Sequence, residues 1–170
     1  TAFILNPNFS QIQLLQLITK DLGIPLPAKK NNKLELINVL NQFLIDETSH
    51  GNNVAVIIDE AQNLNIHQLE QIRLLSNLET EKDKLLQIIL VGQPELLEKL
   101  KKPSLRQLNS RVGVRYHIQP LDREEVKKYI THRLRIAGGP AHLRFTEEAV
   151  NAIFSLSKGT PRLINILCEH

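Results

Sequence analysis

The sequence predicts an α/β core with a parallel sheet, followed by a small all-helical part. Three observations carry that expectation. Two apolar runs, VAVII at Val54–Ile58 and LLQIILV at 85–91, flank a helical stripe; a continuous apolar run marks a strand covered on both faces. Strands that alternate with helices join as parallel neighbours through right-handed crossovers. After Pro120 strand signals stop and only helical patterns remain.

Each element follows in order. TAFIL is a short strand stopped by Asn6-Pro7. Ser10 is placed to cap a helix carrying Ile12, Leu14, Leu15, Leu17 and Ile18, which Gly23 ends; Pro25 and Pro27 keep the next stretch extended. Leu36, Ile37, Leu40, Phe43 and Leu44 recur at helical spacing, and residues 50–53 form a polar turn before VAVII. Ile66, Leu69, Ile72, Leu75 and Leu78 make the stripe between the two buried strands. Residues 98–111, EKLKKPSLRQLNSR, read as a broken helix. VGVRYHI alternates, with Val112, Val114, Tyr116 and Ile118 on one face, and predicts a half-covered strand.

Beyond Pro120, Asp122 and Glu125 form a capping-box pattern and Gly138-Gly139 closes that helix. Thr146 caps the next, with Glu147 and Glu148 in its first turn. Gly159-Thr160-Pro161 supplies a helix stop, an N-cap and a proline at the first helical position. The expected domains are therefore 1–120, the α/β part, and 121–170, the helical part.

Composition narrows the class. The 170 residues are 42% hydrophobic and 23% charged, with 4% aromatics, so the core must be built from Leu, Ile and Val. A formal net charge of +3 does not by itself argue for nucleic acid. The single cysteine, Cys168, excludes an internal disulfide and a cysteine-based metal site, and fits a cytoplasmic protein. No apolar run reaches the ~18 residues of a membrane span, so no direct membrane insertion is expected. Methionine is absent and the chain opens on a strand already in progress, so an upstream segment is expected to be missing.

The chemistry concentrates where VAVII runs into Asp59 and Glu60. In parallel sheets, ligands bind beyond the carboxyl ends of the strands. The following helix starts near Asn65, too far along for either acid to cap it. A carboxylate beside a buried run calls for a cation or hydrogen-bond donors. One acid suits Mg²⁺, held through water; its neighbour points elsewhere and suits the orienting of an attacking water. That division of labour serves phosphoryl transfer to water.

The ordered set DEAQNL, RLLSNLET, IILVGQPEL, LRQLNSRV, RYHIQPL and GTPRLINILC resembles the AAA+ ATPase domain of the general secretion pathway protein A family and its pilus-biogenesis relatives, over nearly the whole chain. The resemblance implies a P-loop NTPase fold, three-layered, with a parallel sheet and a helical lid. It implies ATP and Mg²⁺ as cofactors, with VAVIIDE as the Walker B motif. Asp59 would support the metal and Glu60 would activate water. Gln93 would be the first sensor. Arg111 would be the arginine finger reaching into a neighbouring subunit, with Arg106 and Arg115 as rivals for that role. Arg162 would be the second sensor, contacting nucleotide phosphate. Its place in the first turn of a helix, where the macrodipole disfavours a cation, independently calls for an anion nearby.

By the same resemblance the parent protein is an ATPase. It would assemble as a homo-oligomer, ring or filament, through the nucleotide interface. It would work with secretion or pilus assembly proteins in the cytoplasm, at the inner face of the membrane. No Gly-x-x-x-x-Gly-Lys-Ser/Thr occurs among the seven glycines. The P-loop and its strand are expected upstream, between the strands at 85–91 and 112–118, and the 170 residues alone are expected to be inactive. Those two strands are then expected to pair with each other, to borrow a strand, or to leave the chain marginally stable. Two other readings stay open: an AAA+ regulator of DNA transposition acting as a filament on DNA, and a non-enzymatic interaction module. The lysines of EKLKKPSLR offer DNA contacts, although no aromatic lies among them.

Overall fold

The computed structural model describes residues 1–5, 9–26, 32–80, 84–140 and 142–169. They form two compact units, Thr1–Val114 and Arg115–His170.

The first unit is built on a parallel sheet of three strands in the order β1 (Ala2–Ile4), β2 (Val54–Ile58), β3 (Leu86–Leu90). Its register aligns Ile4 with Ile58 and Ile58 with Leu90, so the carboxyl ends of all three strands meet at one edge. Between β1 and β2 run α1 (Gln11–Asp21) and α2 (Lys33–Ser49). Ser10 opens α1 with a full capping box to Gln13, and Asn32 caps α2 by accepting from the Glu35 N–H at 2.8 Å. Between β2 and β3, α3 (Ile66–Leu75) starts at a capping box made by Asn65 and Gln68. Past β3 come α4 (Glu95–Leu100), a 3-10 turn at Pro103–Leu105 and α5 (Arg106–Arg111).

The core of this unit is aliphatic, as the scarcity of aromatics dictates. Leu14, Leu15, Ile18, Leu36, Leu40, Leu44, Leu69 and Leu105 are all fully buried with Val56 and Ile58. That core covers one face of the sheet. The other face is more open, since Phe3 and Ile89 are 49% and 46% exposed. The expectation of strands covered on both faces is thus corrected for β3, whose residues alternate in burial. Asn6-Pro7 and Pro27 lie outside the described residues.

VGVRYHI is a second correction. Residues 112–120 join no strand, and Val114, Tyr116 and Ile118 are 86%, 88% and 78% exposed. Period-2 alternation shapes a face for a neighbour, but a strand exists only where a ladder partner accepts its hydrogen bonds. No described strand supplies one, and among the described residues β3 has only β2 as its neighbour. The expected re-pairing of 85–91 with 112–118 does not occur.

The second unit contains α6 (Arg123–Ile136), α7 (Glu147–Ser157) and α8 (Pro161–Cys168). Asp122 and Glu125 form the predicted capping box, and Thr146 accepts from the Ala149 N–H at 3.2 Å. Thr160 precedes α8 without a side-chain capping bond, so proline at N1 alone marks that start. Val126, Ile130, Ile153 and Ile164 form the buried core. The α7–α8 corner turns through Lys158 and Gly159, both left-handed. Gly159 accepts from the Leu121 N–H at 2.9 Å, and a Cβ on it would stand 1.9 Å from the Leu121 carbonyl oxygen. Only glycine fits that corner.

Candidate active site

The acid pair sits where β2 leaves the sheet. The Asp59 N–H extends the ladder by donating to the Ile4 carbonyl at 2.8 Å. Its half-buried carboxylate turns back, and Oδ1 accepts from the Glu60 N–H at 2.8 Å. Glu60 is exposed and takes a left-handed conformation, φ 51° and ψ 35°. For a residue with a Cβ that conformation costs on the order of 1–3 kcal/mol, and such positions cluster at functional sites. It ends the strand abruptly and starts a 3-10 turn at Ala61–Asn63, which hands the chain to α3. Neither acid caps α3.

The end of β3 is tied to this turn. The Val91 N–H donates to the Ile58 carbonyl and the Ala61 N–H to the Val91 carbonyl, both at 2.9 Å. Gln62 completes the link. Its Nε2 donates to Glu60 Oε2 at 2.6 Å, while its Oε1 accepts the Gln93 N–H at 3.0 Å. Lys99, from α4, donates to the carbonyls of Gln62 and Leu64. The structure thus brings Asp59, Glu60 and Gln93 together. Gln93 also leads into α4, since its carbonyl accepts from the Leu96 N–H at 2.9 Å.

Arg111 is held elsewhere in the same unit. It ends α5, and its Nη1 reaches the Ser76 carbonyl, just past α3, at 3.5 Å. The ten residues of α3 rise about 15 Å from the acid-pair turn to that end. Arg111 therefore does not meet Glu60 within one chain. Arg106 is exposed at the start of α5, and Arg115 belongs to the second unit. Arg162 is also in the second unit, exposed in the first turn of α8, and among the described residues its side chain makes no ion pair or hydrogen bond.

Gln62, Gly92 and Lys99 are the residues that sequence reasoning missed. Gln62 carried a faint signal, two positions beyond Glu60 and short of the helix. Lys99 carried none, because it lay in a run read as solvated or DNA-facing. Its two carbonyl partners account for it, and Lys101 pairs with Glu98 at 2.7 Å.

Among the described residues no three His, Cys, Asp or Glu side chains cluster around a point. That does not disqualify Asp59 as a support for Mg²⁺, which keeps most of its waters and commonly takes one or two carboxylates. For a nucleotide the fit is partial. The acid pair and Gln93 stand at one strand edge, but a glycine-rich amide cradle for phosphates is not part of this sequence.

The chain has a parallel α/β core with an acid pair at the carboxyl end of its middle strand, and it belongs to the AAA domain family, whose family model matches residues 1–100. It is 42% identical over 168 residues to General secretion pathway protein A of Aeromonas hydrophila, covering 99% of this chain and 30% of that protein's length. Among solved structures it resembles the ORC2 protein of Aeropyrum pernix in its ADP form, with TM-score 0.69 at 15% identity over 96% of this chain and 45% of that one. It also resembles Cdc6p of Pyrobaculum aerophilum, with TM-score 0.62 at 18% identity over 98% and 46%. At these identities the two structures speak to the fold alone, and they share its AAA+ architecture.

Proposed function

We propose that the chain is the catalytic part of an AAA+ ATPase that powers assembly of a secretion or pilus apparatus. The observation that carries this is the joined end of β2 and β3, where Glu60, Gln62 and Gln93 form one hydrogen-bonded group beside Asp59. Phosphoryl transfer to water needs little covalent chemistry from a protein; it needs positioned water and compensated charge. Asp59 would hold Mg²⁺ through water, and the ion would supply charge compensation at the phosphates. Glu60 takes the proton of the attacking water. Gln93, on the neighbouring strand end, senses the reacting group. Residues 1–120 serve as the nucleotide-binding core and 121–170 as the lid, from which Arg162 contacts phosphate.

Arg111 is about one α3 length from its own acid pair. That distance favours service to a neighbouring subunit in a ring or filament. The resemblance to General secretion pathway protein A favours a role at the inner face of the membrane, through partners; no described helix is long and apolar enough to cross one. The chain spans 30% of that relative's length, which leaves ample sequence for a phosphate cradle outside these residues.

The longer protein is expected to contain a strand followed by Gly-x-x-x-x-Gly-Lys-Ser/Thr and to hydrolyse ATP with Mg²⁺. The 170 residues alone should bind Mg-ATP only weakly in a calorimetric titration. Micromolar affinity of these residues by themselves would contradict the reliance on a cradle elsewhere.

A further inference from the structure

We infer that Gln62 is a positioning residue for Glu60, holding one oxygen of its carboxylate and keying it to the turn that carries Gln93. The inference rests on the ATPase reading above.

The amide of Gln62 has one workable orientation. The Gln93 N–H only donates, so Oε1 must face it. The carboxylate of Glu60 only accepts when ionised, so Nε2 must face that side, 2.6 Å from Oε2. Flipping the amide would set two donors together and two acceptors together. The backbone of Gln62 is fixed as well, because Lys99 donates to its carbonyl and to that of Leu64. Gly92 leaves the room that the amide occupies. A Cβ there would lie 2.7 Å from Oε1, and Gly92 has no positive φ that would otherwise demand glycine.

The result is a carboxylate with one oxygen committed and one open. Among the described residues, Oε1 of Glu60 accepts no hydrogen bond. A general base needs that combination: a fixed direction and an unshared lone pair aimed where the water will stand. Glu60 is exposed and its side chain has several rotatable bonds, so without Gln62 the carboxylate samples many directions. Misplacement by about 1 Å costs up to about a hundredfold in rate.

The test uses the full-length protein and compares turnover with nucleotide affinity. Gln62→Ala should lower kcat by about tenfold or more, with the nucleotide Kd changed less than about twofold and the thermal midpoint preserved. Gly92→Ala, whose Cβ would press first on the Gln62 amide at 2.7 Å and then on the backbone nitrogens of Gln62 and Ala61 at 3.2 and 3.3 Å, should lower kcat in the same sense. In a Glu60→Gln background Gln62→Ala should have no further effect, because the residue acts only through that carboxylate.

Gln62→Glu keeps the length of the side chain but sets an acceptor where the donor to Glu60 stood, so kcat should fall at least as far as in Gln62→Ala while the nucleotide Kd stays within about twofold. Three results would overturn the inference: unchanged kcat in Gln62→Ala, a full further loss in the Glu60→Gln background, or wild-type kcat in Gln62→Glu. The two readings separate cleanly. Full turnover in Glu60→Gln overturns both, whereas a dead Glu60→Gln beside a normal Gln62→Ala overturns this one alone.

Discussion

In residues 1–114 the candidate catalytic groups are tied to their own chain. Asp59 bonds the Glu60 amide, Glu60 bonds Gln62, and Gln62 bonds Gln93. In residues 115–170 the candidate phosphate ligand, Arg162, is exposed and its side chain makes no described ion pair or hydrogen bond. The electrostatics differ in the same direction. Acidic and basic residues balance in the first unit, and the chain's formal +3 falls in the second. A general base works by direction, so its neighbours must hold it. A cation that reads an anion works by charge and must be left for its ligand. The polar groups at the end of β2 are thus organised in advance, whereas on the proposed reading Arg162 is left open for its ligand.

Arg111 departs from this pattern. It lies in the tied-down unit yet far from the acid pair. Arg111→Ala should leave nucleotide affinity nearly intact and reduce hydrolysis by roughly 10³–10⁵, the worth of an arginine finger. Mixing this variant with Glu60→Gln should restore some turnover, since some mixed interfaces then pair an intact Glu60 with an intact Arg111. An oligomeric Arg111→Ala protein with undiminished activity would end the trans assignment.

The second expected effect concerns how the second unit holds the helix that carries Arg162. Gly159→Ala adds a left-handed strain of about 1–2 kcal/mol to a backbone collision; the added Cβ would lie 1.9 Å from the Leu121 carbonyl. Gly23→Ala carries similar strain at φ +74° with nothing within 4 Å. Urea unfolding should therefore show a clearly larger loss for Gly159→Ala. Equal losses would mean that the corner yields and that glycine there reports conformation alone.

The smallest effect is electrostatic. Hydrogen bonds, first from Lys127 and then from Arg123, hold the Glu147 carboxyl below its ordinary range and link α6 to α7. A depressed carboxyl contributes stability above its unfolded pKa, about 4.3, and that contribution fades as pH falls through the lower folded value. The melting midpoint should thus drop more steeply on acidification in wild type than in Glu147→Gln. The difference will be modest because the pairs are exposed. Coincident acid limbs would remove this link from the account of the second unit.

What was legible in the sequence was local. Ser10, Asp122 and Thr146 announce their helices because a cap acts over three residues. VAVII followed by two acids places the site because strand end and charge are adjacent. The alternation at 112–118 misled because it states which face a strand would use without stating whether a partner exists. Gln62–Gln93 and Lys99–Gln62 were invisible for a related reason: their partners lie 31 and 37 residues apart and meet only once β2 and β3 pair. The left-handed Glu60 gave no signal, since nothing in its residue type favours that conformation.

Turnover of Glu60→Gln in the full-length protein, measured beside its nucleotide affinity, tests whether the carboxylate at the end of β2 is the base for ATP hydrolysis. The carboxamide keeps the shape and removes the base. ATP binding close to wild type with turnover lost is the expected result. Turnover near wild type would contradict it.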